Sequence, residues 1–277
     1  MARREKPLVS VIIPTYNSEK TIIYTLASLE RQTYSNIEVI VVDNYSRDRT
    51  AKIAKEMGAK VIQAKGERAR AKNIGLREAR GEYVLFIDSD MELTPRVIEE
   101  AVERIGSDSR IGGVVIPEKT IGNTLLAKIR NYERSFYTGT PIESARFFPR
   151  KLALKVGGFD EDLVFFEEAT LPLKIERLGY NVQARINAPI LHHEEGITLI
   201  SILRKKYYYA KTARKYLQRY KSPHTWAQIN PFQRYKIFMS NPRFWKRPHL
   251  ALAVLSLKTL EYVAASIGYM ASLLTKQ

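Results

Sequence analysis

Residues 83–90 read YVLFIDSD: five apolar residues, Tyr83 to Ile87, run without a charge straight into Asp88 and Asp90. A short run of that length, rich in aromatic and β-branched side chains, predicts a strand buried on both faces. Three more such runs precede it, at Leu8–Ile13 (LVSVII), Ile37–Val42 (IEVIVV) and Lys60–Gln63. Helical patterns lie between them. Ser18 stands ahead of EKTIIYTLASLERQ, Ser46 ahead of RDRTAKIAKEM with Gly58 past its end, and Thr94-Pro95 ahead of RVIEEAVERIG, each a helix-start signal. Strands alternating with helices predict an α/β fold: an open, Rossmann-like, mainly parallel sheet with helices on both faces.

From Ile111 the alternation loosens. GGVVIP and ARFFPR read as strands, NTLLAKIRNYERSF as a helix, and EEATLPLKIERLGYNV as a helix leading into a strand, with Pro172 in the first turns where it is tolerated. After His193 no strand pattern remains.

Ligands of such sheets bind outside the carboxyl ends of the strands. Three polar clusters fall there: Pro14-Thr15-Tyr16-Asn17, Asp43-Asn44-Tyr45-Ser46, and Asp88-Ser89-Asp90. Carboxylates at i and i+2 on a turn can grip a hard divalent cation and leave positions for phosphate oxygens. Without a cation they would raise one another's pKa. The chain contains neither GxGxxG after the first strand nor GxxxxGK[ST], so dinucleotide dehydrogenases and P-loop enzymes lose support. The absence of cysteine excludes a thiolate nucleophile, a disulfide framework and a cysteine-bound zinc. The apolar run before Pro14 is too short for a signal-peptide core.

With these motifs in order, the chain resembles glycosyltransferase family 2, the inverting GT-A enzymes that use nucleotide sugars. The resemblance rests on VSVIIPTYN (residues 9–17), VIVVDNYSRDRT (39–50), ERARAKNIGLREARGEYVLFIDSD (67–90), GGFDEDLVFFEE (157–168) and HEEGIT (193–198). It implies that Pro14, Thr15 and Tyr16 line the base and ribose pocket, that Asp43 hydrogen-bonds the base, and that Arg70 reaches the base or diphosphate. Asn44 stands where the family often has a second aspartate. In the DXD motif, Asp88 would face the ribose beside Ser89, and Asp90 would bind Mn²⁺ or Mg²⁺ at the diphosphate with His193 near the metal. Glu168 would be the general base, with Glu167 the runner-up, because the family carries a Glu-Asp pair here. The donor would be a UDP- or GDP-sugar and the acceptor a hydroxyl of a glycan or lipid-linked glycan. A polyprenyl-phosphate sugar synthase is the enzymatic alternative, although an ionised acceptor phosphate needs no base. A non-catalytic membrane- or nucleic-acid-binding protein on a degenerate transferase domain is the other.

Charge divides the chain. The formal net charge is +16, and residues 196–260 hold about fourteen Lys and Arg with no Asp or Glu. We therefore expect a transferase domain over residues 1–198 and a basic, apolar helical region over 199–277. Lys and Arg interleave with Tyr over residues 199–221, and residues 249–274 are apolar round most of a helix. Lys258 and Glu261 would sit mid-span at about 2.5–3.5 kcal/mol each, which disfavours a transmembrane helix. A peripheral or monotopic helix on the anionic, cytoplasmic face of the cell membrane is expected instead. The other expectation for this region is a soluble appendage packing on its own sheet or on a second subunit. No nucleic-acid motif accompanies the basic residues.

Overall fold

The computed structural model describes residues 6–140, 142–221 and 223–274, so the basic residues at positions 3 and 4 lie outside the described residues. In chain order the elements are β1 (Val9–Thr15), α1 (Ile22–Glu30), β2 (Ile37–Asp43), α2 (Thr50–Glu56), β3 (Lys60–Gln63), α3 (Arg68–Glu78), β4 (Tyr83–Phe86), β5 (Met91–Leu93), α4 (Val97–Gly106), β6 (Val114–Val115), β7 (Glu118–Ile121) and α5 (Leu125–Arg134). There follow β8 (Ala145–Pro149), α6 (Arg150–Lys155), α7 (Glu167–Glu176), β9 (Ala184–Arg185), β10 (Ile190–His193), α8 (Leu199–Ala210), α9 (Ala213–Arg219), α10 (Pro223–Ile229), α11 (Pro231–Met239), a 3-10 turn at Pro242–Lys246 and α12 (Pro248–Leu274).

The chain divides into two compact units. The first comprises residues 1–118, 144–161 and 167–193; the second comprises 119–143, 162–166 and 194–277. The boundary expected at residues 198 and 199 is therefore displaced to 193 and 194, and α5, assigned from sequence to the first domain, belongs to the second unit. It does so because its apolar side, with Ile129 buried, clusters with Phe244, Leu250 and Val254 from the end of the chain.

The first unit is built on a seven-stranded sheet of order β3-β2-β1-β4-β8-β6-β9. β1 runs parallel to β2 and β4, β2 is parallel to β3, and β8 is antiparallel to β4 and β6. Successive strand side chains point to opposite faces, and both faces are covered. Val9, Val11 and Ile13 of β1 join Leu26 of α1, Ala54 of α2 and Val97 of α4 in one core, while Ile12 joins Ala69 and Leu76 of α3 and Leu171 of α7 in the other. A Cβ on Gly75 would fall 2.4 Å from the Ile12 side chain, so α3 reaches β1 this closely only through glycine.

α1 and α2 begin four residues later than their expected caps. Ser18 and Ser46 are used elsewhere: the Asn17 N–H donates to Ser46 Oγ at 2.8 Å, the Ser18 N–H donates to Thr50 Oγ1 at 2.7 Å, and Ser89 Oγ donates to Ser18 Oγ at 2.8 Å. These bonds stitch together the loops that follow β1, β2 and β4.

In the second unit α12 packs against α8 and α5. Lys258 Nζ lies 2.6 Å from Glu133 Oε1 and also pairs with Glu261, while Arg130 and Lys206 approach Glu261 at 3.6 and 3.5 Å. Burial alone would raise the Glu133 carboxyl, but the Lys258 and Arg130 charges outweigh it and hold the group at about 2, below the usual 4.5. A depressed folded-state pKa contributes stability that is complete above the unfolded value and is lost as pH falls through the folded one. Unfolding followed by circular dichroism should therefore show this contribution intact above about pH 4.5 and eroding toward about pH 2. Lys258→Met, which takes from buried Glu133 its closest cation, should cost about 3 kcal/mol, the low end for a broken buried pair because Arg130 and Lys206 remain, in denaturant titration at neutral pH.

Candidate active site

Three strands of the sheet end in the three polar clusters. Pro14 and Thr15 close β1 and are buried, with Thr15 Oγ1 lacking a hydrogen-bond partner. Tyr16 follows, half exposed, and Tyr45 stands beyond β2 with a positive φ of 54°. A bulky residue held there costs about 1–3 kcal/mol, a strain that the stitched loops sustain.

Asp43, at the end of β2, is fully enclosed. Its oxygens accept from the Ser46 N–H and hydroxyl and, at 3.1 Å, from Gln63 Nε2. Asp43 thus holds the loop after β2 from within.

The DXD carboxylates lie after β4. Asp88 Oδ1 and Asp90 Oδ1 are both buried without a hydrogen-bond partner. Burial pushes the Asp88 carboxyl up, but the charges of Lys72, Arg68, Arg146 and His192 prevail and hold it well below the usual range. Two orphaned carboxylate oxygens beside one turn fit the divalent cation that the DXD pattern implies. Among the described residues no three His, Asp or Glu side chains gather into a ready cage, so a cation here would take most of its coordination from substrate oxygens and water.

The two histidines of β10 face opposite ways. β10 pairs antiparallel with β5, His192 lying opposite Met91. Because neighbouring strand residues point to opposite faces, His192 puts Nε2 3.2 Å from Asp90 Oδ2 and Nδ1 3.7 Å from Glu118 Oε2. His193 turns the other way: its ring stacks on Tyr24 at 4.8 Å and its Nε2 lies 3.0 Å from Glu92 Oε2. Only its backbone N–H meets Asp90, at the carbonyl oxygen.

Arg70 is exposed on α3, whereas Arg68 and Lys72, two residues to either side of it, face the carboxylates. Arg68 lies 3.9 Å from Asp88 and 3.5 Å from Glu167, and Lys72 lies 3.1 Å from Glu167. The i, i+4 spacing of Arg68 and Lys72 is a helix-face signal that was present in the sequence. Arg146, on β8, went unmarked in the sequence reading. Its guanidinium bonds Glu118 and is kept charged, against the cost of burial, by Glu118, Asp88 and Glu168.

The two glutamates that open α7 differ in state. Glu167 is buried and held by Lys72 and Arg68. Glu168 is partly exposed, makes no hydrogen bond or ion pair among the described residues, and feels the charge of Arg146.

A model of the family described as Glycosyl transferase family 2 matches residues 10–159. The chain is 29% identical over 226 residues to an uncharacterized glycosyltransferase, EpsJ, of Bacillus subtilis, covering 71% of this chain and 64% of that protein. It is 31% identical over 224 residues to the poly(ribitol-phosphate) beta-N-acetylglucosaminyltransferase TarS of Staphylococcus aureus, covering 74% of this chain and 36% of that one. The match thus spans less than two thirds of either relative. Among solved structures, the mannosyltransferase PcManGT of Pyrobaculum calidifontis, in complex with GDP-Man and Mn²⁺, aligns with a TM-score of 0.66 at 21% identity over 96% of this chain and 87% of that one. That likeness confirms the GT-A fold.

The pair of Lys72 and Glu167 can be tested by stability alone. Lys72→Met leaves Glu167 buried with Arg68 as its remaining cation, so denaturant unfolding should show a loss of about 3 kcal/mol, the low end for a broken buried pair. Lys72→Arg should recover most of it.

Proposed function

The chain belongs to glycosyl transferase family 2, and from that premise we propose that it moves a hexosyl group, with inversion, from a nucleoside diphosphate sugar to a hydroxyl acceptor. The observation that carries this reading is the contrast at the start of α7, where Glu167 is spent on Lys72 and Arg68 and Glu168 is left open.

In the proposed step Glu168 accepts the proton of the acceptor hydroxyl. The freed oxygen forms a bond to the anomeric carbon as the bond from that carbon to the diphosphate oxygen breaks, and the diphosphate leaves with the electron pair. One displacement inverts the centre. Mn²⁺ or Mg²⁺, held by Asp90 with Asp88 and His192 beside it, would neutralise charge on the diphosphate. Arg68, Lys72 and Arg146 keep the Asp88 carboxyl ionised. Tyr16 and Tyr45 offer aromatic faces to a uracil or guanine base, with Ser89 and Thr15 behind them; Asp43 acts through Ser46 and Gln63.

The proposed donor is a UDP- or GDP-sugar, supported by the GDP-Man complex of the structural neighbour. The proposed acceptor is a glycan or lipid-linked glycan at the cytoplasmic membrane face, in keeping with a relative named for a polymer acceptor.

Glu168→Gln should lower kcat by about 10² or more with donor KM nearly unchanged, because it removes a base that acts only as the acceptor ionises. Glu167→Gln should act mainly on stability. Turnover that survives Glu168→Gln would point to an ionised phosphate acceptor and overturn the hydroxyl reading.

Asp90→Ala should abolish metal-dependent donor binding, measured by titrating a UDP- or GDP-sugar with and without Mn²⁺. His192→Ala should weaken that binding more than His193→Ala; the reverse order would restore His193 to the site.

A further inference from the structure

α12 is folded with its charges inward. Lys258 and Glu261 are buried against Glu133, Arg130 and Lys206. A Cβ on Gly268 would fall 2.1 Å from the Tyr207 carbonyl oxygen, so α8 and α12 approach backbone to backbone. The opposite side of α12 is apolar and open: Leu252, Leu260, Val263, Ile267, Met270 and Leu274 are 43–87% exposed. Between them the exposed residues are serine, threonine and leucine, with no charge from Pro248 to Leu274 outside the buried pair. A soluble helix is organised the other way round.

We propose that this face is a membrane-docking surface, laid along the plane of an anionic bilayer. The proposal rests on the membrane-surface part of the functional reading and deepens it by naming the surface. Two observations favour a bilayer over a second copy of the chain. First, the entrance to α12 is basic and aromatic: Arg243, Lys246 and Arg247 flank a 43% exposed Trp245, and Phe232 and Met239 on the preceding helix are 84% and 56% exposed. Indole beside Lys and Arg suits the headgroup layer of an anionic leaflet. Second, residues 196–260 hold no acidic residue to oppose that approach.

α12 is long and apolar enough to cross a membrane by length and composition. Spanning would pull Lys258 and Glu261 from their partners into hydrocarbon, whereas lying flat leaves both pairs intact.

The test is co-sedimentation of the full chain with vesicles of phosphatidylcholine and phosphatidylglycerol, and with phosphatidylcholine alone. We expect binding that favours the anionic vesicles and persists in part at high salt, since the apolar contribution is not screened. Val263→Asp with Ile267→Asp should lower the bound fraction about tenfold or more with the circular dichroism spectrum unchanged. Should that variant misfold, Ser256→Asp with Ser266→Asp places charge on the same face without removing any packing and should give the same loss. Full-length protein that stays in the supernatant at low salt, or charged variants that bind as the parent does, would overturn the proposal. So would light scattering that shows a dimer which the charged variants split, because a second copy would then cover the face. Vesicle binding needs no turnover. A chain that sediments but transfers no sugar would therefore sink the transferase reading and leave the docking surface standing.

Discussion

The buried ion pair between Lys72 and Glu167 organises the chemistry of the first unit. It joins α3 to α7 with both side chains almost wholly removed from water, where an unpaired charge would be far costlier than the pair. Its consequences run in two directions. On the α3 side, the ammonium and the neighbouring Arg68 keep the Asp88 carboxyl ionised although burial opposes it. On the α7 side, Glu167 is consumed, while its neighbour Glu168 stays without an ion pair among the described residues. Lys72 thus sorts two adjacent glutamates into a positioning role and a candidate catalytic one.

The sheet and the three polar loops at its strand ends were legible in the sequence because short uninterrupted apolar runs and the polar residues that close them are local signals. What failed to show was phase. ERARAKN offers two arginines and a lysine within five residues, and which of them face the carboxylates depends on how α3 is rotated against β1, a rotation set by the contact of Gly75 with Ile12. His192 and His193 pose the same problem in a strand: the HxxGxT pattern marks His193, yet pairing of β10 with β5 turns His192 toward Asp90. Ser18 and Ser46 were misjudged for a different reason. They have the composition of helix caps, but their hydrogen bonds go to partners about thirty and seventy residues away, which no local pattern reports.

In the second unit the sequence showed charge within an apolar helix but not its direction. Counting Lys258 and Glu261 against a spanning helix needed no structure. That both turn inward required Glu133, over a hundred positions away, and α5 was assigned to the wrong domain for the same reason. The apolar residues of α12 lie all round it, so composition alone could not separate the face that packs on Phe244 and Tyr207 from the face left open.

The second unit contains a short loop held by contacts that are also distant in sequence. Residues 162–166 belong to the second unit: Asp162 pairs with Lys215 and Arg219, the Val164 and Phe165 N–H groups both donate to Thr212 Oγ1, and Phe166 packs on Tyr216 with a positive φ of 48°. A phenylalanine pays for that backbone conformation with strain of about 1–3 kcal/mol, which persists only where surrounding contacts over-determine it. Here they do, because α9 supplies the cations, the hydroxyl and the ring together. The conformation of residues 162–166 is thus set by partners about fifty positions further along the chain, and a reading of LVFF as a local apolar run could not report it.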